Sequence, residues 1–546
     1  MATNSRGRVG YRPSQMQTPE PLGNTTVPTS PQSEVIYSAV VSTPDHLAAN
    51  SVAGSGKTTV LIGVIQTALR ANPDARVLVL MFNVSIARAF ERKLREYGID
   101  PVGGNVTVKT MNALGNRAIL DDNRSAKFDE DSVVLFLRES NVRMQPRDAT
   151  QYAKVVEAVR NTMTDPNDPM AVSDLVDRFD LDVVSRDNGG NAGASERAAA
   201  YLRQLPTIMD RLDALPLYNY SDQLYRTAKY NLPLPSYDLV LVDEVQDTNP
   251  TQLSILTRLA QSSRLVAVGD PYQAIYAFRG AGTSAYSDLV TALDATEYPL
   301  SVTYRCPESH VQLAQQFVPH LQARDGAPDG SVESLPEESW DDAGVYRPGK
   351  SLILCRTNAP LVSTAYRLLR SRVPVEVRGR DIGASALSLL GKMCKDGTQE
   401  TAVVMSRLWD YRESEMARLN RENASESRLS ALNDRIDTVE AIMADSTSVR
   451  EAEQAIRDLF YSSGDTQREA VVFSTVHRAK GDEAETVGIL SPWLMPHPMA
   501  KVGADQDQER NIQYVAATRS KSRLVFETDP EAEENQRKQA GWSRWW

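Results

Sequence analysis

Short apolar runs and helical periodicity alternate through the first part of the chain. The pattern predicts an apolar helix over Val60–Leu69, and Arg76–Phe82 (RVLVLMF) has the continuous hydrophobicity of a buried parallel strand. Two further predicted strands, Leu239–Val242 and Leu265–Val268, are each followed immediately by polar residues. Open α/β sheets hold their ligands at the carboxyl ends of the strands. The pattern therefore predicts an α/β fold with a ligand site at that edge.

A different pattern occupies residues 116–235. It predicts charged amphipathic helices, among them Ala149–Met163 and Glu196–Leu205, and Pro206 ends or kinks the second of these. The Gly/Asn-rich stretch Arg186–Ser195 interrupts them. We interpret this segment as a helical insertion in the first α/β unit.

The α/β pattern returns in a second unit, which we expect to begin near Tyr298. Its predicted strands include Leu352–Cys355 and Val471–Ser474, with a charged helical stretch at about 384–469 between them. Apolar residues in that stretch are spaced 3, 4, 3 and 4 positions apart, at Leu429, Leu432, Ile436, Val439 and Met443. Because this heptad spacing is so brief, it favours a helical hairpin packed on its own domain over a dimerising coiled coil.

The composition fits a folded multidomain protein in a reducing compartment. A length of 546 residues suits roughly two to four domains, and 41% hydrophobic residues are enough to form cores. The cysteines, Cys306, Cys355 and Cys394, lie far apart without a CxxC pair, which argues against disulfides and a structural metal. No apolar run approaches the roughly 18 residues that cross a membrane, and the polar N-terminus is unlike a signal peptide. We therefore expect a cytoplasmic protein.

A glycine-rich loop near the start of the first unit has the composition of a phosphate-binding site. In the string AGSGKTT, backbone N–H groups would surround phosphate oxygens, Lys57 would meet the β- and γ-phosphates, and the Thr58 hydroxyl would bind Mg²⁺. Ser51 stands where the strict GxxxxGK[ST] pattern has its first glycine, so the loop is an imperfect match. The residues predicted to contact the nucleotide here are Ala53, Gly54, Ser55, Gly56, Lys57, Thr58 and Thr59.

A second motif supplies the carboxylates that such a loop requires. Tyr237–Glu244 (YDLVLVDE) is predicted to be a strand with Asp243 and Glu244 at its carboxyl end. Phosphoryl transfer needs one carboxylate on Mg²⁺, assigned to Asp243, and a second, Glu244, that activates the attacking water. Either motif alone also fits an ordinary turn or a strand that ends in solvated acids. Both together, in this order, predict a nucleoside triphosphatase.

Further motifs resemble those of the UvrD/Rep/PcrA-like superfamily 1 (1A branch) DNA helicases and occur in that family's order. The resemblance spans roughly residues 31–528, and the compact length is similar to that of phage-encoded members. It implies two RecA-like P-loop domains in tandem, each interrupted by a mainly helical insertion. The matching strings are PTSPQSEVI, FNVSIA, KTMNALG, DEVQD, GDPYQAIYAFRGA, TYRC, LCRTNAPL, TVHRAKGDE and ERNIQYVAATRS.

The resemblance and the hydrophobic pattern together divide the chain into successive parts. We expect the phosphate loop in the first RecA-like domain and two arginines that act on ATP in the second. The parts are a flexible tail at 1–30, the first RecA-like domain at 31–115 and 236–297, its helical insertion at 116–235, the second RecA-like domain at 298–383 and 470–529, a shorter helical insertion at 384–469, and a C-terminal tail at 530–546.

The resemblance implies roles for individual side chains at the nucleotide. Gln273 would sense the γ-phosphate, and Asp270 would support the metal shell. Arg305 and Arg519, both in the second α/β unit, would be arginine fingers that neutralise charge on the phosphoryl group across an interdomain cleft. The implied adenosine contacts are Gln32 at the adenine edge, Tyr304 stacked on adenine and Glu483 at the ribose.

For the track, the family pattern implies aromatic faces that stack on bases, here Tyr276 and Phe278, although both also fit core positions. Asn112 stands where the family usually has His. The net charge of −11 is unusual for a nucleic-acid binder, but a few local contacts along one groove suffice. The other implied contacts are Phe82, Asn83, Thr110, Arg356, Asn358, Thr475, His477 and Lys480.

The favoured interpretation is an ATP- and Mg²⁺-dependent DNA helicase that moves 3′→5′ on single-stranded DNA. The resemblance implies that it engages single-strand/duplex junctions, in a bacterial cell or a phage-infected host. A second hypothesis is a sensing or loading subunit that binds a protein partner through its C-terminal tail, because Trp542, Trp545 and Trp546 fit an exposed partner site. A third is a P-loop protein that acts on something other than nucleic acid.

Overall fold

The computed structural model describes residues 27–101, 103–139, 144–179, 181–184, 194–276, 284–394, 396–421, 426–461, 469–497, 504–540 and Trp545. The chain divides into two compact units, Met1–Ser301 and Val302–Trp546. Each unit contains a six-stranded sheet whose neighbouring strands all run parallel. The predicted α/β class with tandem RecA-like domains is confirmed.

The sheet of the first unit is built from short strands, and the central ones are almost entirely buried. They are β1 (Leu47–Ser51), β2 (Val77–Met81), β3 (Val106–Thr110), β6 (Leu239–Val242), β7 (Arg264–Gly269) and β8 (Thr296–Leu300). Their order across the sheet is β3-β2-β6-β7-β1-β8. The apolar runs predicted as strands are β2, β6 and β7, and burial on both faces explains why these runs are continuous rather than alternating.

Successive residues of these strands face two different cores. Val77 and Val79 pack with one group of helices, whereas Leu78 and Leu80 pack with the other. The first group is α1 (Pro31–Ser42), α2 (Lys57–Ala71) and α3 (Val84–Glu96). The second includes α11 (Pro250–Ala260) and α12 (Ala285–Leu293). Each face of the sheet is therefore covered, and only the strand ends are left for ligands.

The segment between β3 and β6 is mainly helical. Its helices α8 and α9 meet at Gln204, and Pro206 lies in the first turn of α9, which explains the predicted break. The elements are α4 (Met111–Asp122), β4 (Lys127–Phe128), α5 (Ser132–Glu139), α6 (Ala149–Thr162), α7 (Pro169–Arg178), α8 (Ala194–Arg203), α9 (Leu205–Asp213), β5 (Leu217–Tyr218) and α10 (Tyr220–Lys229).

A buried ion network lies within this helical segment, and the sequence pattern does not reveal it. Arg160 is fully buried, and its Nη2 lies 2.8 Å from Oδ1 of Asp222. The same carboxylate oxygen is 2.8 Å from Nε of Arg226. The Thr251 hydroxyl, on α11, donates to the carbonyl of Arg160. Because an unpaired buried charge is costly, removal of either Arg160 or Asp222 would destabilise the helical segment.

The second unit has its own parallel sheet, in the order β11-β16-β15-β12-β14-β13. The predicted strands Leu352–Cys355 and Val471–Ser474 correspond to β12 and β14. The strands are β11 (Ser331–Leu335), β12 (Ser351–Cys355), β13 (Val375–Val377), β14 (Val471–Thr475), β15 (Ala484–Ile489) and β16 (Ser520–Glu527). A separate two-stranded sheet is formed by β9 (Val302–Thr303) and β10 (Gln322–Ala323).

Helices of the second unit include the predicted heptad segment, which is α17. Ile436, Val439 and Met443 are buried in the core of this unit, together with Leu368 of α14 and Phe473 of β14. The prediction of helices packed on their own domain is thus confirmed. The helices are α13 (Glu308–Ala314), α14 (Ala359–Arg370), α15 (Arg380–Met393), α16 (Thr401–Arg421), α17 (Glu426–Ala444), α18 (Val449–Tyr461), α19 (Ala504–Ala517) and α20 (Pro530–Ala540).

Two expectations need correction. Tyr298 lies in β8, which pairs with β1, so this residue belongs to the first unit, which extends to Ser301. The predicted C-terminal tail contains helix α20, and Trp545 is only 7% exposed because it packs edge-on against Phe317 and Phe526. Among the described residues, no helix is both long and apolar enough to cross a bilayer.

Candidate nucleotide-binding site

The phosphate loop joins the buried strand β1 to helix α2. Gly54 and Gly56 have φ angles of 74° and 84°, in the left-handed region that costs glycine little. Gly56 directly precedes Lys57, the first residue of α2. The free N–H groups and positive dipole end of this helix therefore meet the loop, which is the arrangement that binds phosphate.

Ser51, the residue that departs from the strict loop pattern, ties the loop to the neighbouring strand. Its hydroxyl donates to the carbonyl of Gly269, at the end of β7, over 2.7 Å. Ser51 is completely buried, so this hydrogen bond is sheltered from water. A glycine could not make it, and the substitution therefore adds a link between the phosphate loop and the motif that begins at Gly269.

We call the string DEVQD at Asp243–Asp247 motif II, and the string GDPYQAIYAFRGA at Gly269–Ala281 motif III. Lys57 forms an ion pair with Glu244, the second carboxylate of motif II. Its Nζ lies 2.8 Å from Oε1 of Glu244. Burial alone would lower the pKa of Lys57, but the nearby carboxylates of Glu244, Asp243 and Asp270 outweigh burial and raise the pKa above its usual value. Lys57 is therefore a fixed positive charge within a group of acids.

Motif II places its carboxylates at the carboxyl end of β6. Asp243 Oδ1 accepts a 3.0 Å hydrogen bond from the N–H of Glu244, whose φ of 52° is unusual for a non-glycine residue. Gln246, buried at 1% exposure, donates from Nε2 to the Glu244 carboxylate. Its Oε1 accepts a 3.0 Å bond from the N–H of Asp270. One side chain thus joins motif II to motif III.

Motif III completes the network. The Asp270 carboxylate accepts from Nε2 of Gln273 over 2.6 Å and from the N–H of Tyr272 over 3.1 Å. Burial raises the pKa of Asp270 to about 6, although nearby Lys57 opposes the shift. Lys57, Asp243, Glu244, Asp270 and Gln273 are thus brought together, as the sequence predicted. The role of Gln246 was missed, and its only signal was a polar residue two positions after the second carboxylate, between Val245 and Asp247.

The oxygen atoms of this site suit Mg²⁺. Asp243 offers a carboxylate, and Thr58 offers a hydroxyl in the first turn of α2. Hard oxygen ligands of this kind are those that Mg²⁺ prefers. Three carboxylates face one lysine, so a divalent cation would also balance the local charge. The side-chain amide of Gln32 exchanges two hydrogen bonds with Ser301, of 2.8 and 3.0 Å, and the carbonyl of the preceding residue, Leu300, accepts from the N–H of Val52, next to the phosphate loop.

In the second unit, the predicted nucleotide contacts form ion pairs with one another. Arg305 Nε lies 2.6 Å from Oε2 of Glu483, and Lys521 Nζ lies 2.7 Å from Oε1 of the same residue. Burial raises the pKa of Glu483, but Arg305 and Lys521 together hold the pKa below its usual value. The ring of Tyr304 is 50% exposed.

Arg519 is held inside the second unit. It is 1% exposed, its Nε donates to the Val515 carbonyl over 2.9 Å, and Nη1 donates to that of Asp482 over 3.3 Å. Both predicted arginine fingers also donate hydrogen bonds to Thr518. Arg305 donates to the Thr518 carbonyl, and Arg519 donates to the Thr518 hydroxyl. The structure therefore brings Arg305, Arg519 and Glu483 into one cluster.

Comparison with known proteins identifies the family. The model of the UvrD/REP helicase N-terminal domain matches residues 36–293, and that of the UvrD-like helicase C-terminal domain matches residues 388–529. The chain belongs to the UvrD/Rep/PcrA-type superfamily 1 helicases. The first match covers the phosphate loop, motif II and motif III, and the second covers Glu483 and Arg519.

Curated relatives match over different parts of the chain. F-box DNA helicase protein 1 of Schizosaccharomyces pombe is 23% identical over 94% of this chain and 58% of its own length. ATP-dependent DNA helicase PcrA of Leuconostoc citreum is 24% identical over 56% of this chain and 40% of its own. RecBCD enzyme subunit RecB of Mycolicibacterium smegmatis is 49% identical over 28% of this chain and 14% of its own. The chain thus spans less than two thirds of each of these relatives.

In this family member, the predicted track contacts of the first unit include a stacked aromatic pair. The Phe82 and Tyr276 rings are 6.1 Å apart with an interplanar angle of 9°, and both are partly exposed. Asn83 and Thr110 begin α3 and α4, where each side-chain oxygen accepts a backbone N–H, from Ile86 and Ala113 respectively. Phe278 lies outside the described residues.

The predicted track contacts of the second unit have partners within that unit. Arg356 binds Glu509 through two nitrogens, at 2.7 to 3.1 Å. The Asn358 backbone N–H donates over 2.7 Å to Asp434 of α17, and its side-chain amide binds the same carboxylate.

The remaining predicted contacts of that unit lie on β14 and the turn that follows it. Thr475 is 8% exposed at the end of the strand, and His477 and Lys480 are partly buried in the turn. Burial, aided by the positive charge of Arg356, lowers the pKa of His477 to about 3, so its ring is neutral at pH 7. It would therefore offer nucleic acid a hydrogen bond rather than a charge.

Proposed function

We propose that this chain is an ATP-dependent DNA helicase or translocase that moves 3′→5′ on single-stranded DNA. The observation that carries the proposal is the continuous contact network of the first unit. It runs from Lys57 to Glu244 and, through Gln246, to Asp270 and Gln273. A network that joins the phosphate loop to motifs II and III is what coupled binding and hydrolysis of ATP requires.

Each part of this network has a proposed task. Lys57 binds the β- and γ-phosphates, and Gln273 contacts the γ-phosphate. Thr58 and Asp243 hold Mg²⁺, which supplies positive charge that offsets the charge of the phosphates. The N–H groups of the loop from Ala53 to Thr59 bind phosphate oxygens.

Glu244 is the proposed general base, and its two oxygens have different partners. One oxygen is paired with Lys57, and the other accepts from Gln246. Phosphate oxygens compete for Lys57 because they carry more negative charge than one carboxylate. When they bind Lys57, they release one oxygen of Glu244 to take a proton from water, while Gln246 keeps the carboxylate oriented.

The second unit contributes charge neutralisation. Arg305 and Arg519 are proposed to stabilise the phosphoryl group in transfer, while Tyr304, Glu483 and Gln32 contact the nucleoside. Arg305 would first have to exchange its partner Glu483. For the track, Tyr276 and Phe278 are proposed to stack on bases, together with Phe82, which stacks on Tyr276, and the other predicted residues contact the backbone.

The sensing-subunit hypothesis loses one of its supports. It relied on exposed tryptophans at the C-terminus, but Trp545 is buried against Phe317 and Phe526, and its carbonyl accepts from Gln316. Trp542 and Trp546 lie outside the described residues. We place the activity in the cytoplasm of a bacterium or phage-infected host, which fits three cysteines that are free thiols.

A strand-displacement assay tests the proposal. Purified protein would be given ATP, Mg²⁺ and duplexes with a 3′ or a 5′ single-stranded tail, of DNA or RNA, and ATP hydrolysis would be measured with and without the tail strand. We expect hydrolysis stimulated by single-stranded DNA and unwinding of the 3′-tailed DNA duplex. Hydrolysis unchanged by DNA would overturn the proposal, and unwinding from the 5′ tail alone would overturn the polarity.

A further inference from the structure

Two exposed aromatic rings stand together on the helical segment of the first unit. Phe128 is 43% exposed and Tyr220 is 54% exposed, and their centroids are 4.8 Å apart at an interplanar angle of 65°. We call this pair the aromatic platform. Aromatic rings of this size are usually more buried, because their exposure forfeits hydrophobic stabilisation, so an exposed pair needs an explanation.

The fold holds both rings rigidly. Phe128 lies on β4, which pairs with β5, and its ring packs edge-on against Tyr218 at 5.8 Å. Tyr218 is buried, and its hydroxyl donates to Asn116 of α4 over 2.7 Å. Tyr220 is the first residue of α10, whose N-terminus is capped by Asn219. A rigid aromatic surface loses little entropy when a flat ligand binds to it.

The platform is attached to the predicted track contacts through Asn112. Its Nδ2 donates to the Tyr220 carbonyl over 2.9 Å and to Oε1 of Gln223 over 3.0 Å. Helices α4 and α10 can approach closely here because Gly115 has no side chain. A Cβ at this position would lie 2.1 Å from the Gln223 carbonyl oxygen. Asn112 also lines a pocket with Phe82, the ring that stacks on Tyr276. Asn112 thus binds the platform and lines the same pocket as Phe82 of the other aromatic pair.

The surroundings of the platform indicate what it binds. Exposed polar residues flank it, from Asp121 to Ser125 and at Lys127, Glu130 and Asp131. A protein interface of stable size needs a larger apolar area than two rings provide. The carboxylates of Asp129, Glu130 and Asp131 would repel phosphate groups, so a nucleic acid would meet these rings with its bases rather than with its backbone.

We propose that the Phe128–Tyr220 platform is an additional base-stacking site for single-stranded nucleic acid, which extends the track beyond Phe82 and Tyr276. The inference rests on the proposed function, because a translocase needs sequence-tolerant contacts along its strand. Stacking on aromatic rings meets that need because every base has a π-face.

The test is a length series of deoxythymidine oligonucleotides, with affinity measured by fluorescence anisotropy. Phe128→Ala and Tyr220→Ala should each weaken binding of long strands roughly 5- to 100-fold, the range for loss of one stacked base. Strands too short to extend past the Phe82–Tyr276 pair should bind the variants and the wild type equally. The loss should be similar at low and high salt, because stacking releases few counterions.

Matched variants separate stacking from other effects. Phe128→Trp should retain affinity, and Phe128→Leu, which stays apolar, should lose it. Met170→Ala, at a 77% exposed apolar residue of α7 in the same segment, should change nothing. A 2-aminopurine placed along the strand should be quenched at one position by the wild type and by Phe128→Trp, but not by Phe128→Ala.

The outcomes distinguish this inference from the proposed function. If the wild-type protein does not bind single-stranded DNA, the proposed function fails. If the wild type binds but Phe128→Ala and Tyr220→Ala bind equally well at every length, the platform is not a nucleic-acid site, and a protein partner becomes its alternative occupant. If Phe128→Leu behaves as the wild type does, stacking is not the interaction and the inference is wrong.

Discussion

Both units contain a six-stranded parallel sheet, but the charged residues of their motifs are paired differently. In the first unit, the side chains at the strand ends share contacts, so that Lys57, Glu244 and Asp270 form one network around a single lysine. In the second unit, Arg305 and Arg356 are held in separate ion pairs, whereas Arg519 is held by carbonyl and hydroxyl oxygens. Arg305 lies 2.6 Å from Glu483, and Arg356 lies 2.7 Å from Glu509, so both are close ion pairs.

This difference in charge balance indicates how each unit would interact with the phosphates of ATP. The first unit has more acids than bases in its network, so the phosphate oxygens of ATP need Lys57 and a metal ion to offset the repulsion. In the second unit, Arg305 and Arg356 are already paired with carboxylates, and Arg519 already has hydrogen-bond acceptors. Its arginines therefore act only after partner exchange, and substitutions there should affect the reaction rate more than nucleotide binding.

Lys57→Ala should have the largest effect. It removes the lysine that neutralises the phosphate network and leaves Asp243, Glu244 and Asp270 to repel ATP. We expect ATP hydrolysis stimulated by single-stranded DNA to fall at least about 10³-fold, together with weaker ATP binding. A steady-state phosphate-release assay measures this. Lys154→Ala, at an exposed lysine of the same unit, is the control, and a Lys57→Ala rate within tenfold of the wild type would contradict the prediction.

Arg305→Ala should lower kcat by about 10²- to 10³-fold and leave ATP affinity nearly unchanged, because its charge acts on the transition state. Single-turnover hydrolysis and binding of a fluorescent nucleotide measure the two quantities separately. Arg523→Ala is a matched control, since Arg523 forms a comparable pair with Glu333 at 2.7 Å outside the motifs. Equal losses in both variants would mean that Arg305 serves folding rather than hydrolysis.

The sequence predicted strands buried on both faces better than it predicted edge strands. The strand Leu239–Val242 was predicted with its observed bounds, because a strand buried on both faces has a continuous apolar sequence. The strand around Tyr298 was missed, since β8 is an edge strand with several exposed residues and a proline, and only its last residue is fully buried.

The hydrophobic pattern did not predict polar contacts between residues that are far apart in the sequence. The Ser51 bond to Gly269 depends on the register of β1 against β7, and the Arg160–Asp222 pair joins two distant helices. Neither register nor helix packing is encoded by a local spacing. The phosphate loop and motif II were recognisable because their chemistry lies within a few consecutive residues.

The excess of carboxylates in the first unit should make the free energy of unfolding depend on pH. The folded-state pKa of Asp270, about 6, lies above the ordinary value of 3.8, so folding favours its protonated form. Asp270 therefore costs stability as the pH rises from about 4 to 6, and the full cost, on the order of 2–3 kcal/mol, applies above pH 6. Asp270→Asn should raise the free energy of unfolding at pH 8, and the gain should vanish near pH 4.

Chemical denaturation at several pH values, without nucleotide, measures this difference. Asp294→Asn, at a surface turn after α12, is the control. A gain for Asp270→Asn that is independent of pH would show that the carboxylate charge is not the cause.

The smallest expected effect concerns the residue at which this phosphate loop departs from the strict pattern. Ser51→Ala removes the buried hydrogen bond to the Gly269 carbonyl and should cost about 1 kcal/mol of unfolding free energy. Ser42→Ala removes a similar serine–carbonyl bond at an exposed site and should cost less, because water can replace it. Denaturant titration of both variants decides the matter. A Ser51→Ala cost no greater than that of Ser42→Ala would mean that β1 and β7 hold the loop without this bond. If the cost is greater, and ATP affinity also falls, the serine in place of glycine is part of how the first unit keeps its phosphate loop joined to motif III.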